Sequence, residues 1–298
     1  MSTKISKVAL LGADGKLGPA IMHALVENGF NVTVLKRKSS KSPSSYPSQI
    51  LVSDDFNVPE LTEALKGIDA VVITVKGSQT DLQKRIAEAA VQAGVKRLIP
   101  ADFGSCDSST QFAQDTVPLF KHKANLRQYL TDLSTKNPSF GWTSIVCGHF
   151  FDWSLEFLHI YLPQRKAEIL DDGAAKWSAS SLGQIAEATA RILLRPDVTK
   201  NRMLYIQSFL VSQSEVIAAY EKATGTKWEV AKFESEKYLE EEKSKAAEGD
   251  LEAVENLVWL VGTVDGNWEG KKDFAMEDLG LVEEDLERVV RKTVERLG

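Results

Sequence analysis

Apolar residues along the first hundred positions alternate between two kinds of segment. Val8 to Leu11, Asn31 to Leu35, Ala70 to Val75 and Arg97 to Pro100 are short runs rich in Val, Leu and Ile and read as strands. Between them, Leu17 to Asn28, Leu61 to Lys66 and Thr80 to Ala93 space their apolar residues for one face of a helix. Strand and helix in strict alternation is the pattern of βαβ units on a parallel sheet. Strands this uniformly apolar need cover on both faces, so the sheet is expected to be doubly wound, an α/β fold of Rossmann type. A longer helical pattern from Phe120 to about Thr135 and a strand from Trp142 to Val146 continue the series.

Past that point the regular alternation stops. Residues 152 to 170 and 228 to 275 are expected to build a smaller lobe, with Trp153, Phe157, Trp259 and Trp268 available to line it. The division that follows is a dinucleotide-binding domain over residues 1–151 and a mixed region over 152–298 that holds the substrate lobe and closing helices. The charged run Glu234 to Glu248 reads as a solvated helix face, and Leu281 to Leu297 as a closing helix. The serine-rich stretch Ser39 to Ser48, with Pro43 and Pro47, is a loop by composition.

Composition narrows the partners. A chain of 298 residues, 43% of them hydrophobic, can bury one large core or a sheet domain with a lobe against it. A net charge of -6 and a pI near 5.4 leave no broad basic surface for phosphate backbones, so nucleic acid is not expected as a ligand. Cys106 and Cys147 are the only cysteines and have no metal-ligand spacing, which points to a reducing compartment and away from disulfides and zinc. No apolar stretch reaches the roughly 18 residues that span a bilayer, and the expectation is a soluble cytoplasmic protein.

The segment Gly12-Ala13-Asp14-Gly15-Lys16-Leu17-Gly18 stands between the first strand and the first helix. Glycines in a G-x-x-G-x-x-G loop there permit a tight turn, let backbone approach a pyrophosphate and bring helix against strand, while the helix N-terminus offers free N–H groups. Where NAD-binding chains commonly carry an acid at the end of the second strand, this one reads Leu35-Lys36-Arg37-Lys38-Ser39. Arg37, with Lys38 or Lys41, would pair with a 2′-phosphate, which favours NADPH over NADH. Asp14 would repel a pyrophosphate unless it points away or caps the helix.

These residues, taken with others further on, resemble the isoflavone reductase-like branch of the atypical short-chain dehydrogenases, the group that also contains NmrA-like redox-sensing regulators. The resemblance rests on the glycine loop, Arg37, the strand and turn Lys96 to Gly104, and the lysine-bearing helix around Lys123. It continues through Lys200 to Ile206, Ser212 to Glu215 and Tyr220 to Gly225. The family usually shows Ile-Pro-Ser-Glu-Phe-Gly in the turn, whereas here Ala101 and Asp102 replace the serine and the glutamate, so no role of that hydroxyl carries over.

Ordinary short-chain dehydrogenases use Tyr-x-x-x-Lys, and no tyrosine in this chain lies four residues before a lysine. The resemblance implies a helix lysine followed by apolar residues at +3 and +7. Lys123 meets this with Leu126 and Leu130, whereas Lys121 leads to Ala124 and Gln128. Lys123 would contact the cofactor and protonate or polarise the atom that gains charge as hydride arrives. His149, Phe150 and Phe151 follow a strand at the carboxyl end of the sheet, where ligands of open α/β folds collect, and with Phe103, Trp153 and Phe157 are candidates to wall a small aromatic or cyclic substrate.

The leading expectation is an NADPH-dependent reductase of a small apolar metabolite, acting on C=C, C=O, C=N or a quinone methide in secondary metabolism. A homodimer is the default assembly for such enzymes. The competing reading is a non-catalytic NmrA-like redox sensor, which needs the glycine loop but not the lysine. A third is an interaction protein that has lost its cofactor.

Overall fold

Seven strands, all parallel, form the central sheet of the computed structural model, which describes residues 4–42 and 46–297. In chain order the first half runs β1 (Lys7–Leu11), α1 (Gly18–Glu27), β2 (Asn31–Arg37), β3 (Gln49–Val52), α2 (Val58–Ala64), β4 (Ala70–Ile73), α3 (Thr80–Ala93), β5 (Arg97–Ile99), α4 (Gln111–Thr116), α5 (Pro118–Lys136) and β6 (Gly141–Val146). The second half runs β7 (His149–Phe150), a 3-10 turn Glu156–Leu158, β8 (Ile160–Tyr161), β9 (Lys166–Leu170), β10 (Lys176–Ser180), α6 (Leu182–Leu194), α7 (Pro196–Thr199), β11 (Arg202–Tyr205), β12 (Phe209–Ser212), α8 (Gln213–Thr224), β13 (Glu229–Phe233), α9 (Ser235–Ala247), α10 (Leu251–Val264), α11 (Met276–Leu279) and α12 (Leu286–Leu297).

The strand order β11-β6-β5-β4-β1-β2-β3 reverses direction of travel between β1 and β4, so the crevice for a ligand opens beyond the carboxyl ends of those two strands. Both faces are covered, as the apolar strands require. Val8, Leu10, Val72, Ile99 and Ile145 pack toward α1 and α6, while Ala9, Leu11, Val71, Ile73 and Leu98 pack toward α2, α3 and α5. The expected Rossmann-type doubly wound α/β fold is present.

Two parts of the chain behave differently from their expectation. Gln49–Val52, for which the sequence pattern gave no element, forms β3, an edge strand paired with Val34 to Arg37. Four residues, half of them exposed, give too short an alternation to stand out beside a Ser/Pro loop. Residues 43–45 of that loop lie outside the described residues.

Segments beyond residue 151 also return to the sheet. Helix α6 buries Ile185, Ala186, Ala188, Thr189, Ile192 and Leu193 and packs on α1, and β11 then pairs in parallel with β6. The sheet is therefore not confined to 1–151, because only a second layer on the α1 face can bury Ile21 and Leu25.

The remaining elements make the smaller lobe. Two three-stranded sheets, β12-β10-β7 and β13-β9-β8, are backed by α8 and α12 over a core of Phe151, Trp177, Phe209, Tyr220 and Val290. Helix α9 is the solvated charged helix, burying only Tyr238 and Glu242. Asp107, in the loop after β5, accepts from Tyr205 Oη at 2.7 Å and Lys271 Nζ at 2.8 Å and so fastens the lobe's last segment to the sheet. Among the described residues no helix is long and apolar enough to cross a membrane.

Candidate active site

A cleft of about 570 Å³ opens where the strand order reverses. One wall is the glycine loop. Gly12 sits at φ +91, and a Cβ there would stand 2.7 Å from Thr74 Oγ1, which itself donates to Leu11 O at 3.0 Å. At Gly18 a Cβ would stand 2.3 Å from Gly12 O, against backbone that cannot yield. Both positions need glycine, one for its left-handed conformation and the other for the contact between α1 and the loop. Gly15 and Ala13 line the cleft, Leu17 and Gly18 are buried beneath it, and Lys16 points outside the lining. No side chain caps the start of α1, so its first N–H groups and the positive end of its dipole remain available to an anion.

Opposite, the carboxyl end of β2 contributes Lys36 and Arg37, and the following turn contributes Ser40 and Ser42. Lys38 turns away, pairing with Glu60 at 2.7 Å, and Lys41 is exposed outside the lining. Of the three cations expected at a 2′-phosphate, Arg37 alone borders the cleft. Lys36, not among the expected contacts, borders it too.

Asp14 neither caps α1 nor faces the cleft as a bare charge. Its carboxylate pairs with Lys36 Nζ at 3.0 Å and accepts from Tyr46 Oη at 3.0 Å. Partial burial pushes its pKa up, but hydrogen bonds from Ser42, Lys36 and Tyr46 outweigh that and hold it below the usual carboxylate value. The repulsion expected toward a pyrophosphate is thereby met by a local cation.

Lys123 is not among the residues that line the cleft and sits beside Gly77, next to the lining residue Ser78. It belongs to α5, whose face of Phe120, Leu126 and Leu130 is buried against the sheet, and its side chain is 8% exposed. It passes over Gly77, where a Cβ would stand 3.1 Å from Lys123 Cε, and Ser78 and Gln79 next to Gly77 line the cleft. Lys123 Nζ donates to the Asp102 carbonyl oxygen and lies 3.7 Å from Asp102 Oδ1. The Asp102 carboxylate in turn pairs with Arg127 Nη1 at 2.7 Å, which also donates to Ser108 Oγ at 2.8 Å. Complete burial pushes the Asp102 pKa up, but the Arg127 guanidinium and then the Lys123 ammonium outweigh it and hold the carboxyl below its ordinary range.

The residues expected to wall a substrate are distributed unevenly. Phe103, at φ +31, and Phe150 are half-buried against the α1-side core, and the Phe150 ring meets Trp153 edge-on at 6.2 Å. Trp153, 38% exposed, and Phe157 are 5.7 Å apart and face a separate open groove of about 810 Å³ shared with Phe233 and Tyr238. Phe151 is a correction. It is fully buried, meets Phe209 edge-on at 4.7 Å and belongs to the lobe's core, just past the end of β7. His149 is equally buried, bonded through Nε2 to Trp259 O at 3.1 Å, and burial pulls its pKa down to about 4, so it is neutral at physiological pH.

Comparison with known proteins agrees with this architecture. The model of the NmrA-like family matches residues 4–265. The chain belongs to the NmrA-like family. Its relatives include the oxidoreductase aprR of Aspergillus flavus, 36% identical over 87% of this chain and 88% of the relative. Among solved structures, one from the pinoresinol-lariciresinol and phenylcoumaran benzylic ether reductases superposes with a TM-score of 0.80 at 22% identity, covering 97% of this chain and 99% of that one. The leucoanthocyanidin reductase of Vitis vinifera solved with NADPH gives a TM-score of 0.78 at 18% identity, over 97% and 100%.

Several residues in or near this NmrA-like protein's cleft escaped sequence reasoning. Lys36 and Tyr46 were invisible because their partner is Asp14, 22 and 32 positions away. Arg127 stands four residues after Lys123 on the same helix face, a spacing that could have flagged it. Phe56 and Arg85 of the NmrA-like chain line the cleft from the loop before α2 and from α3 with no motif to announce them.

Proposed function

We propose that this chain is an NADPH-dependent oxidoreductase of isoflavone reductase-like type that reduces a small, apolar, aromatic or cyclic metabolite. The observation that carries this reading is the pairing of two features across one cleft. An uncapped helix start behind glycines that leave no room for a Cβ suits a pyrophosphate, and Arg37 with Ser40 at the end of β2 suits a 2′-phosphate. The residues present fit the cofactor. The relative named an oxidoreductase, and the leucoanthocyanidin reductase solved with NADPH, support the same reading.

Bound NADPH would supply a hydride. The chain's own residues do the rest. Gly12, Ala13, Gly15 and the start of α1 hold the pyrophosphate, and Arg37 holds the 2′-phosphate. Lys123, behind Gly77 and next to the cleft, orients the cofactor and gives a proton to the substrate atom that becomes anionic. Asp102 fixes that ammonium through its carbonyl oxygen. His149, neutral and bonded to the backbone, has no part in the proton transfer. Phe103 and Phe150 form the apolar side of the substrate site, and secondary metabolism is the setting in which such reductases act.

Arg37→Ala tests the cofactor assignment. The variant is expected to lose about 1–3 kcal/mol of NADPH affinity, the scale of hydrogen bonds to a charged group, with NADH affinity little changed. Titration calorimetry reads both, and equal losses for the two cofactors would refute a 2′-phosphate role.

A further inference from the structure

We propose that the open groove on the lobe is a second ligand site for a small aromatic amine in its protonated form, held at the ammonium by His159 and at the ring by Trp153. The groove shares no lining residue with the nucleotide cleft, so the proposal stands apart from the NADPH reading.

His159 is the observation that points to a ligand. Its side chain is 8% exposed, lies flat on Trp259 with ring centroids 3.8 Å apart, and lines the groove. Nδ1 meets Glu168 Oε2 at 2.6 Å, and that oxygen also accepts from Tyr161 Oη at 3.1 Å. A carboxylate oxygen that receives two hydrogen bonds makes Nδ1 the donor, and in the neutral ring this leaves Nε2 as an acceptor. Nε2 makes no hydrogen bond among the described residues, and it is not sealed in the interior. It is open to an N–H or O–H donor that enters the groove.

The charge of the groove selects the donor. Glu156, Glu252 and Glu255 line it without an ion pair among the described residues, and Glu241 pairs only with Lys237, at 3.8 Å on its own helix. Lys245, the lysine that lines it, is neutralised by Glu242 at 2.5 Å. Such a field draws in a cationic donor and keeps an anion out. The rest of the wall is aromatic, with Trp153 beside Phe157 and the Phe233 and Tyr238 rings 5.1 Å apart. An ammonium on an aromatic body meets all three features, since its ring packs on rings while its charge lies near π faces and carboxylates.

The test titrates the full-length protein calorimetrically with phenethylamine, phenethyl alcohol and hydrocinnamate, which share a ring and differ in charge, with and without saturating NADPH. Wild type is expected to bind the amine about tenfold more tightly than the alcohol and to leave the acid unbound, with no displacement of the amine by NADPH. Trp153→Ala and His159→Phe are each expected to weaken the amine about tenfold, the scale of a cation–π contact or of one hydrogen bond to a charged group. Phenylalanine keeps a ring against Trp259, and thermal unfolding checks each variant. Should His159→Phe not fold, Trp153→Ala, at an exposed position, decides alone. Absence of amine binding, equal affinity for amine and alcohol, displacement of the amine by NADPH, or unchanged affinity in Trp153→Ala would each overturn the proposal.

Discussion

Lys123→Ala is expected to lower turnover by about 10²–10⁴-fold, the range for a positioned proton donor, while NADPH affinity stays nearly unchanged. The separation follows from where the side chain sits. Its aliphatic stem crosses Gly77 outside the cleft lining, and its ammonium is held by the Asp102 carbonyl oxygen, away from the glycine loop and Arg37. Helix α5 keeps Phe120, Leu126 and Leu130 in the core, so the substitution does not unseat it. A panel of aromatic and cyclic acceptors, followed by loss of reduced-nicotinamide absorbance, identifies a substrate for the measurement. Turnover equal to wild type would remove Lys123 from the chemistry.

Arg127→Met is expected to cost about 3–5 kcal/mol of stability, the scale for breaking one side of a buried ion pair. Asp102 and Arg127 have side chains 3% and 9% exposed, and their 2.7 Å contact is the closest charge compensation the carboxylate has. Lys123 at 3.7 Å compensates only in part. The sign with pH is fixed by the lowered pKa of Asp102. A carboxyl held below its ordinary value stabilises the fold above the unfolded value of about 3.9, and that contribution is lost as pH falls through the lower folded value. The deficit of the variant is therefore full at neutral pH and shrinks in acid. Urea midpoints at neutral pH and in acid measure it, and a midpoint at neutral pH equal to wild type would show the pair to be dispensable.

What could be read from the sequence follows physical lines. Strands β1, β2, β4, β5 and β6 were legible because a strand buried on both faces must be a continuous apolar run. The glycine loop was legible because two of its positions admit no other residue, and the buried face of α5 because Leu126 and Leu130, three and seven residues beyond Lys123, had to be core. Strand β3 was not, since an edge strand of four residues has neither length nor uniform burial. The return of α6 and β11 to the sheet was not either, because an amphipathic helix states that it packs but not on what. Phe151 illustrates the limit within a single pair of residues, as the sequence alone does not say which of the adjacent Phe150 and Phe151 is buried in the lobe's core. Asp14 illustrates the limit for charges, whose neighbours across the fold decide their effect.

The central claim is that the cleft between β1, β2 and α3 holds NADPH. Calorimetric titration of the protein with NADPH and, separately, with NADH tests it most directly. Tight binding of NADPH with weak binding of NADH is the expected result, while absence of binding by either, or equal affinity for both, would contradict the account.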